Sequence, residues 1–275
     1  MGVKVAVPRT FLVGWTSPDL GGLVDYLNHT GQSDFATEFG YALTDPSVGE
    51  MALVSLYAKL CYRSLVAGKN GNVSAIREIE DNIKGCVKSG HGSVFEHVTL
   101  NFITTNCSRV FTHELVRHRV GMAFSQTSGR YCTVEDAELV LPPELDLIPS
   151  PRGEEYGSIS AEMESLLEEI KERILEWRED LKLDDPSTDF ATKKRLTSAL
   201  RRIMPNGATN EIGWSCNIRS LRHVIEMRTS RHAEWEIRKV FHDVAKIVAA
   251  KWPLMLHGGT CESVDGLDEW TGLKL

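Results

Sequence analysis

Apolar residues recur at helical spacing along residues 160–181, the clearest such pattern in the chain. In the segment SAEMESLLEEIKERILEWREDL the apolar positions follow the i, i+3, i+4, i+7 rule at Met163, Leu166, Leu167, Ile170, Ile174, Trp177 and Leu181. Acidic residues fill most of the other positions, so the pattern predicts an amphipathic helix. We expect the apolar stripe to pack against other parts of the protein and the acidic face to lie in solvent.

Other segments also show helical or strand periodicity. Helices are predicted for EMALVSLYAKLCYRS, AIREIEDNIKGCVKSGHG, SRVFTHELVRHRVG, KKRLTSALRRIMP and residues 219–252, the last with a break near Ser230. VFEHVTLNFITTN predicts a strand, and residues 3–13 an edge strand or loop because they contain Pro8. Residues 16–48 predict loops with one short helix, and the proline-rich residues 132–153 an extended segment. Without repeats or a linker, the pattern indicates a single α+β domain over residues 1–275.

Composition narrows the class of protein. The chain has 42% hydrophobic and 25% charged residues, which is typical of a folded globular protein, and no apolar run of membrane-spanning length. Its six cysteines lie far apart and form no CxxC pair, so we expect reduced thiols in a cytoplasmic protein and no zinc site.

Charge is unevenly distributed. The net charge of −7 disfavours a general nucleic-acid surface, which would need a positive footprint. Yet 11 of the 18 arginines fall within residues 109–130 and 201–238. Because the arginine fork suits phosphate and carboxylate, these two windows are candidates for binding anionic ligands.

The segment HELVRHRVGMAFSQTSGRY, residues 113–131, allows three interpretations. A metalloprotease-like zinc site is disfavoured because His113 and His118 are five residues apart, which turns a helix by about 140° and directs the imidazoles away from each other. A nucleic-acid patch has the arginines in its favour, but it lacks interleaved aromatic residues. The third interpretation is a loop that wraps a small anionic ligand with arginines, hydroxyls and glycines.

Four segments of the chain resemble the flavin-dependent thymidylate synthases. The first is RHR at 117–119, followed after a spacer by SGRY at 128–131. GHGSVFEH (90–97) is similar to the family's H-x-[TS]-x-F-E-H segment, and LRRIMP (200–205) to its R-x-x-L-P. NIRSLRHVIEMRTSRHAEWEI (217–237) is similar to the N-x-R-S-L…R-x-x-x-H-A-Q-W-E-I segment. The order and approximate spacing agree over about residues 49–252.

The resemblance implies a fold, a reaction and an assembly. The fold would be α/β, with a central mixed sheet flanked by long helices, in a homotetramer whose FAD sites are shared between subunits. The reaction would methylate C5 of dUMP, with methylenetetrahydrofolate as the carbon donor, FAD as cofactor and NADPH as reductant. Some relatives methylate UMP, so a UMP methylase is the alternative. Partners would be the small-molecule nucleotide and further copies of the chain, with no nucleic acid, membrane or metal.

The same resemblance assigns the site residues. Nucleotide contacts fall to Glu114, Arg117, Gln126, Thr127, Ser128, Gly129, Arg130, Arg201 and Arg228, with Arg130 and Arg201 on the phosphate. Cofactor contacts fall to Ser93, Arg117, His118, Arg119, Gln126, Asn217, Arg219 and His223. Arg228 would lie beside the uracil and stabilise its ionised form by Coulomb attraction, which makes it the catalytic residue. His91 would lie near the flavin, where folate stacks, and His97 is expected to be a satisfied strand-end histidine.

The chain departs from the family pattern at three places. The spacer VGMAFSQT has eight residues where seven are usual, so either the loop bulges or Thr127 takes the usual serine place. Glu114 stands where many relatives have glutamine, and Cys61 replaces a small polar residue near FAD. Ser128 is not in a G-x-S-x-G elbow, so we expect it to position the nucleotide without forming a covalent adduct.

Overall fold

The fold is seen in a computed structural model that describes residues 5–67, 70–72, 76–129 and 134–275. The helices are α1 Leu20–Thr30, α2 Asp34–Thr44, α3 Ala52–Cys61, α4 Ile79–Lys88, α5 Arg109–Leu115, α6 Ile159–Asp180, α7 Phe190–Leu200, α8 Ile218–Thr229 and α9 Trp235–Lys251. The strands are β1 Arg9–Trp15, β2 Thr99–Ser108, β3 Met122–Gln126, β4 Thr209–Asn217, β5 Thr260–Val264 and β6 Leu267–Thr271.

The strands form two sheets. Four of them are ordered β1-β2-β4-β3, and β5 and β6 form a separate antiparallel hairpin. The larger sheet is antiparallel, where the resemblance predicted a mixed one. The α+β class predicted from the sequence is confirmed, and β1 lies at the sheet edge as expected for a segment next to Pro8.

The described chain divides into two compact units. The first comprises the described residues within 5–9, 103–117 and 124–213, and the second the described residues within 10–102, 118–123 and 214–275. In the first unit, Leu139, Leu141 and Leu167 form a buried apolar cluster. In the second unit, Trp214 stacks on Phe102 with ring centroids 4.4 Å apart and packs against Phe241 of α9 at 5.8 Å.

The long predicted helix is confirmed as α6, but its apolar stripe is only partly covered. Leu167 and Ile174 are buried. Met163, Leu166, Trp177 and Leu181 remain between 37% and 44% exposed. The pattern therefore predicted the helix correctly, while its apolar face extends beyond what this chain covers by itself.

Residues 16–48, predicted as loops with one short helix, contain the two helices α1 and α2. The side chain of Asp19 accepts a hydrogen bond from Gly21 N and caps α1, and Gly31 ends that helix with a left-handed φ of 66°. Leu27, Phe35 and Phe39 are buried along the two helices. Burial of these side chains outweighs the poor helix propensity of the glycines, which had concealed the helical pattern.

Two other predictions needed correction. Helix α5 ends at Leu115, so Arg117–Arg119 lie in the turn after it and not at its C-terminal end. The hairpin β5–β6 was not predicted at all, although Asp265-Gly266 at its tip is a strong hairpin signal. Both residues adopt positive φ, 53° and 77°, as a two-residue turn of type I′ requires.

Candidate functional site

A cavity of about 310 Å³ lies in the first unit, within the size range of small-ligand sites. Its described lining residues are Arg109, Thr127, Gly129, Val134, Ala137, Arg201, Arg202, Met204, Asn206, Ala208, Thr209 and Asn210. Three residues predicted to bind the nucleotide therefore meet here: Thr127 and Gly129 of the predicted loop, and Arg201, which was predicted to contact the phosphate. The backbone amide of Thr127 donates to Glu211 O at 2.9 Å, which fixes the loop against β4.

Two guanidinium groups converge beside Gly129. A Cβ on this glycine would lie 3.4 Å from Arg201 Nη1 and 3.6 Å from Arg109 Nη2, which are ordinary contact distances, so both guanidinium groups lie against Gly129. Burial and the neighbouring Arg201 lower the pKa of Arg109. Both influences disfavour the positive charge on Arg109. A bound anion would act in the opposite direction and stabilise that charge. A phosphate, which the arginine fork recognises well, suits this position.

Arg109 was not among the predicted site residues. It begins helix α5, and its backbone amide donates to Asn206 O at 2.9 Å, which anchors the residue beside the cavity. The concentration of arginines within residues 109–130 was the available signal, but sequence spacing alone does not bring Arg109 next to Arg201.

Four other residues predicted for the nucleotide, Glu114, Arg117, Gln126 and Ser128, lie in the same unit but are not among the described lining residues of the cavity. Gln126 Nε2 donates to Thr112 Oγ1 at 3.2 Å, and Arg117 Nε donates back to His113 O at 3.3 Å. Glu114 and Ser128 are half-buried. Arg130 lies outside the described residues.

In the second unit, polar side chains gather around the start of α8. Asn217 caps this helix by accepting from Ser220 N at 2.9 Å, and Ser220 Oγ donates to Val120 O at 2.7 Å. The predicted cofactor residue Asn217 is thus nearly buried and holds the turn after His118 and Arg119 against α8. Arg119 and His223 are exposed to solvent.

Gly92 allows Arg219 to approach the segment 90–97. A Cβ on Gly92 would lie 2.6 Å from Arg219 Nε. Arg219 Nη1 donates to Glu96 Oε1 at 2.6 Å, so a carboxylate orients this guanidinium. Ser93 and His91 are exposed on the same segment. Glu96 was part of the quoted motif, but its pairing with Arg219 was not predicted.

The histidines of this segment stack on tyrosines. The His91 ring lies 5.9 Å from the ring of Tyr62 at 19°, and the His97 ring 3.8 Å from that of Tyr57 at 14°. His97 ends the short helical turn just before β2, and its structural role stays a prediction.

His118 and Arg228 form a direct hydrogen bond. Arg228 Nε donates to His118 Nε2 at 2.8 Å, so the imidazole must be neutral at that nitrogen. Burial lowers the pKa of His118 to about 4, and the charges of Arg228 and His223 act in the same direction. A neutral His118 therefore orients the half-buried guanidinium that the resemblance assigns to the uracil.

The second-unit residues fit a flavin cofactor. Exposed Ser93, Arg119, Arg219 and His223 offer hydroxyl and cationic groups to a dianionic pyrophosphate. Gly92 leaves space for the Arg219 guanidinium, which a Cβ would displace. Across the described residues no cluster of three or more His, Cys, Asp or Glu could hold a metal ion. None of the helices in the described chain is long and apolar enough to cross a membrane.

Gly121 is required by the turn that precedes β3. Its φ is 68°, and a Cβ would lie 2.2 Å from Asn217 Nδ2. We expect Gly121→Ala to lower the free energy of unfolding by about 2–4 kcal/mol, because backbone strain adds to a clash with a nearly buried cap residue. Urea denaturation measures this change. Gly266→Ala is the matched control, since its φ is 77° but nothing lies within 4 Å of its Cβ. An equal loss of unfolding free energy in both variants would show that backbone strain alone, and not a clash with Asn217, causes the effect.

His118 should make the stability pH-dependent. Its pKa is about 4 in the folded chain against an ordinary 6.5, so the unfolded chain binds the proton more readily between these values. The contribution of His118 is therefore fully present above pH about 6.5 and is lost as the pH falls toward 4. Urea denaturation across this range should show a smaller loss of stability for His118→Gln than for the unchanged protein. His29→Gln, which removes an exposed histidine, is the control.

Comparison with known proteins gives the family. The profile of the family described as "Thymidylate synthase complementing protein" matches residues 42–254. A flavin-dependent thymidylate synthase from Mycolicibacterium gilvum is 33% identical over 208 residues, 74% of this chain and 78% of the relative. The flavin-dependent thymidylate synthase of Mycobacterium bovis is 30% identical over 228 residues, 81% of this chain and 84% of the relative.

A solved structure shares the fold. It is a UMP/dUMP methylase, PolB, from Streptomyces cacaoi bound with 5-Br dUMP, with a TM-score of 0.55 and 20% identity over 93% of this chain and 95% of that one. The family profile and the two similar synthases confirm the resemblance that the motifs indicated. The chain belongs to the thymidylate synthase complementing protein family and is an enzyme of the flavin-dependent thymidylate synthase type.

Proposed function

We propose that this chain methylates C5 of dUMP, with FAD as cofactor and with methylenetetrahydrofolate and NADPH as co-substrates, in the cytoplasm. The observation that carries the proposal is the convergence of Arg109 and Arg201 beside Gly129, at a cavity lined by Thr127. Such a pair of guanidinium groups suits the phosphate of a nucleoside monophosphate. Membership of the family supports the reaction class.

Residues of the second unit would hold the cofactor. In this proposal Ser93, Arg119, Arg219 and His223 contact FAD, and Asn217 keeps the start of α8 in place. When bound, reduced FAD supplies the hydride that completes the methyl group. Glu96 keeps Arg219 oriented before any ligand arrives, which lowers the entropy lost on binding.

Arg228 acts on the base in this proposal. Negative charge develops on the uracil when its C5 becomes nucleophilic, and a fixed cation stabilises that charge. His118 holds Arg228 through a neutral acceptor, so the guanidinium keeps its full positive charge for the ring. The flavin, and not Ser128, carries the redox chemistry, so we expect no nucleotide adduct on Ser128.

UMP is the second candidate substrate. Gln126 already bonds to Thr112, whereas the exposed Thr127 lines the cavity and its hydroxyl could pair with a ribose 2′-hydroxyl. An unpaired buried hydroxyl costs about 1–3 kcal/mol, so a pocket without a partner would prefer dUMP by about one to two orders of magnitude. The specificity constants for dUMP and UMP, measured with all three co-reactants, decide between them. Equal or faster turnover of UMP would reverse our ranking.

Self-association is part of the same proposal. The exposed apolar side chains of α6, Leu166 and Trp177 among them, support burial against further copies in a homotetramer. We expect Leu166→Asp with Trp177→Asp to shift the protein to a smaller species in sedimentation velocity, because a charge would replace apolar area at the interface. Ser165→Asp with Arg173→Gln forms the control, because it makes the same change of two charge units at exposed polar positions of α6. A monomer with bound FAD in the unchanged protein would contradict the tetramer.

A further inference from the structure

The hairpin β5–β6 lies outside residues 42–254, the part of the chain that the family profile matches. It is nevertheless attached to α8, the helix that carries Arg219, His223 and Arg228. The attachment runs along one stripe of the helix, formed at spacings of four and three residues by Arg222, Glu226 and Thr229.

Arg222 is fully buried and donates to three backbone carbonyls. Its Nε reaches Leu273 O at 2.9 Å, Nη1 reaches Met255 O at 2.5 Å and Nη2 reaches His257 O at 3.0 Å. A buried guanidinium needs such partners, because each unpaired donor in the interior costs free energy. The residues after β6 thus supply one of the three carbonyls that satisfy Arg222.

The next two residues of the stripe hold the same segment by its backbone amides. Glu226 Oε2 accepts from Leu273 N at 2.7 Å and from Lys274 N at 2.8 Å. Thr229 Oγ1 accepts from Trp270 N of β6 at 2.9 Å and donates to Ile225 O at 2.8 Å. Thr229 is fully buried. Water therefore cannot take the place of Trp270 N as the donor to this hydroxyl.

A third anchor follows the end of the helix. Glu269 of β6 accepts from Arg231 N at 3.1 Å and from Arg231 Nε at 2.8 Å. Arg228 is therefore bracketed along the chain by Glu226, Thr229 and Arg231, all of which bind residues 269–274. The last turn of a helix lacks intrahelical partners for its carbonyls and frays readily, so a residue placed there needs outside support.

We propose that the β5–β6 hairpin and the residues after it form a positioning element for Arg228, acting through Glu226 and Thr229 of α8. The bond from Arg228 Nε to His118 Nε2 depends on where the last turn of α8 lies. The hairpin fixes that turn, and through it the direction of the guanidinium. The inference rests on the proposed function only in the role it gives to Arg228, and Glu226 and Thr229 are positioning residues that do not touch the substrate.

The chain offers a matched set of threonine variants to test the proposal. Thr229→Val keeps the shape of the side chain and removes the acceptor for Trp270 N, whereas Thr229→Ser keeps the hydroxyl. Thr271→Val is the control, because Thr271 Oγ1 pairs with Thr260 Oγ1 on the exposed part of the same hairpin. Each protein is loaded with FAD, and kcat and KM for dUMP are measured per bound flavin.

We expect Thr229→Val to lower kcat by about tenfold to a hundredfold, because small misplacements of a reacting group have effects of this size. FAD affinity should stay within about threefold. Thr229→Ser and Thr271→Val should behave like the unchanged protein. Glu226→Gln, which keeps an acceptor oxygen but loses the charge, is the second variant should Thr229→Val fail to fold, and a smaller loss of kcat is expected.

A second readout needs no turnover. In the protein as purified, a ¹³C-edited NMR titration follows the half-buried His118, whose pKa is lowered to about 4 by burial and by the charges of Arg228 and His223. Displacement of Arg228 should raise the pKa of His118 in Thr229→Val and in no control. If the unchanged protein lacks activity, the proposed function is wrong. The titration then still tests whether the hairpin positions Arg228. The proposal would be overturned if Thr229→Val left both the pKa of His118 and kcat unchanged. It would also be overturned if the only effect of Thr229→Val were a lower melting temperature.

Discussion

Replacing Arg201 with methionine is expected to weaken dUMP binding by about 10- to 100-fold, since a charge-assisted hydrogen bond contributes about 1.5–3 kcal/mol. Arg201 and Arg109 meet beside Gly129 at the cavity, and burial together with the charge of Arg201 lowers the pKa of Arg109, an effect that a bound anion would oppose. Isothermal titration calorimetry with dUMP, and separately with uridine, measures the effect. The loss should appear for the monophosphate and not for the nucleoside.

Arg195→Met is the control for this prediction. Arg195 is exposed on α7, the helix that leads to Arg201, and it is not among the described lining residues of the cavity. A general loss of positive charge would affect both variants alike. Equal weakening in Arg195→Met, or equal loss for uridine, would contradict a phosphate site at Arg201.

Replacing Arg228 with methionine is expected to lower kcat/KM by about 100- to 1,000-fold, the usual consequence of removing one fixed donor from developing negative charge. Its hydrogen bond to His118 shows that the guanidinium is held in one direction before substrate arrives. Steady-state rates with dUMP at saturating FAD, NADPH and methylenetetrahydrofolate measure the change. Binding of FAD should be little altered, because the variant loses an interaction with the uracil base of the substrate and not one with the cofactor.

Lysine at this position separates charge from geometry. Arg228→Lys keeps the positive charge but loses the planar fork and the Nε donor to His118. We expect its kcat/KM to lie between those of the arginine and methionine forms. A lysine variant as slow as the methionine variant would show that orientation matters more than charge, and full activity in Arg228→Met would remove Arg228 from the reaction.

Periodicity predicted most helices because their apolar faces are long and regular. Helix α6 and the break between α8 and α9 near Ser230 follow directly from the pattern. It failed for α1, where Gly21 and Gly22 lower helix propensity and burial of Leu27 decides the structure. Strand β4 went unpredicted, since a segment with Glu211, Gly213 and Ser215 gives little alternating signal.

The motifs predicted which residue types serve the site, but not how they pair. Thr127, Gly129 and Arg201 were predicted and meet at one cavity. The partners Arg109 and Glu96 were not, because they depend on contacts between residues about 90 and 120 positions apart. Asn217 was predicted to contact the cofactor, and its capping of α8 was not predicted. Its side-chain oxygen accepts from Ser220 N, as an asparagine just before a helix commonly does.

The most direct test of the account is formation of dTMP. Purified protein is incubated with FAD, NADPH, methylenetetrahydrofolate and dUMP, and the nucleotide product is identified by mass spectrometry alongside the flavin absorbance. We predict a yellow protein that converts dUMP to dTMP, with no product when NADPH or methylenetetrahydrofolate is omitted. A protein that binds no flavin, or that binds it and leaves both dUMP and UMP unmethylated, would contradict the proposed function.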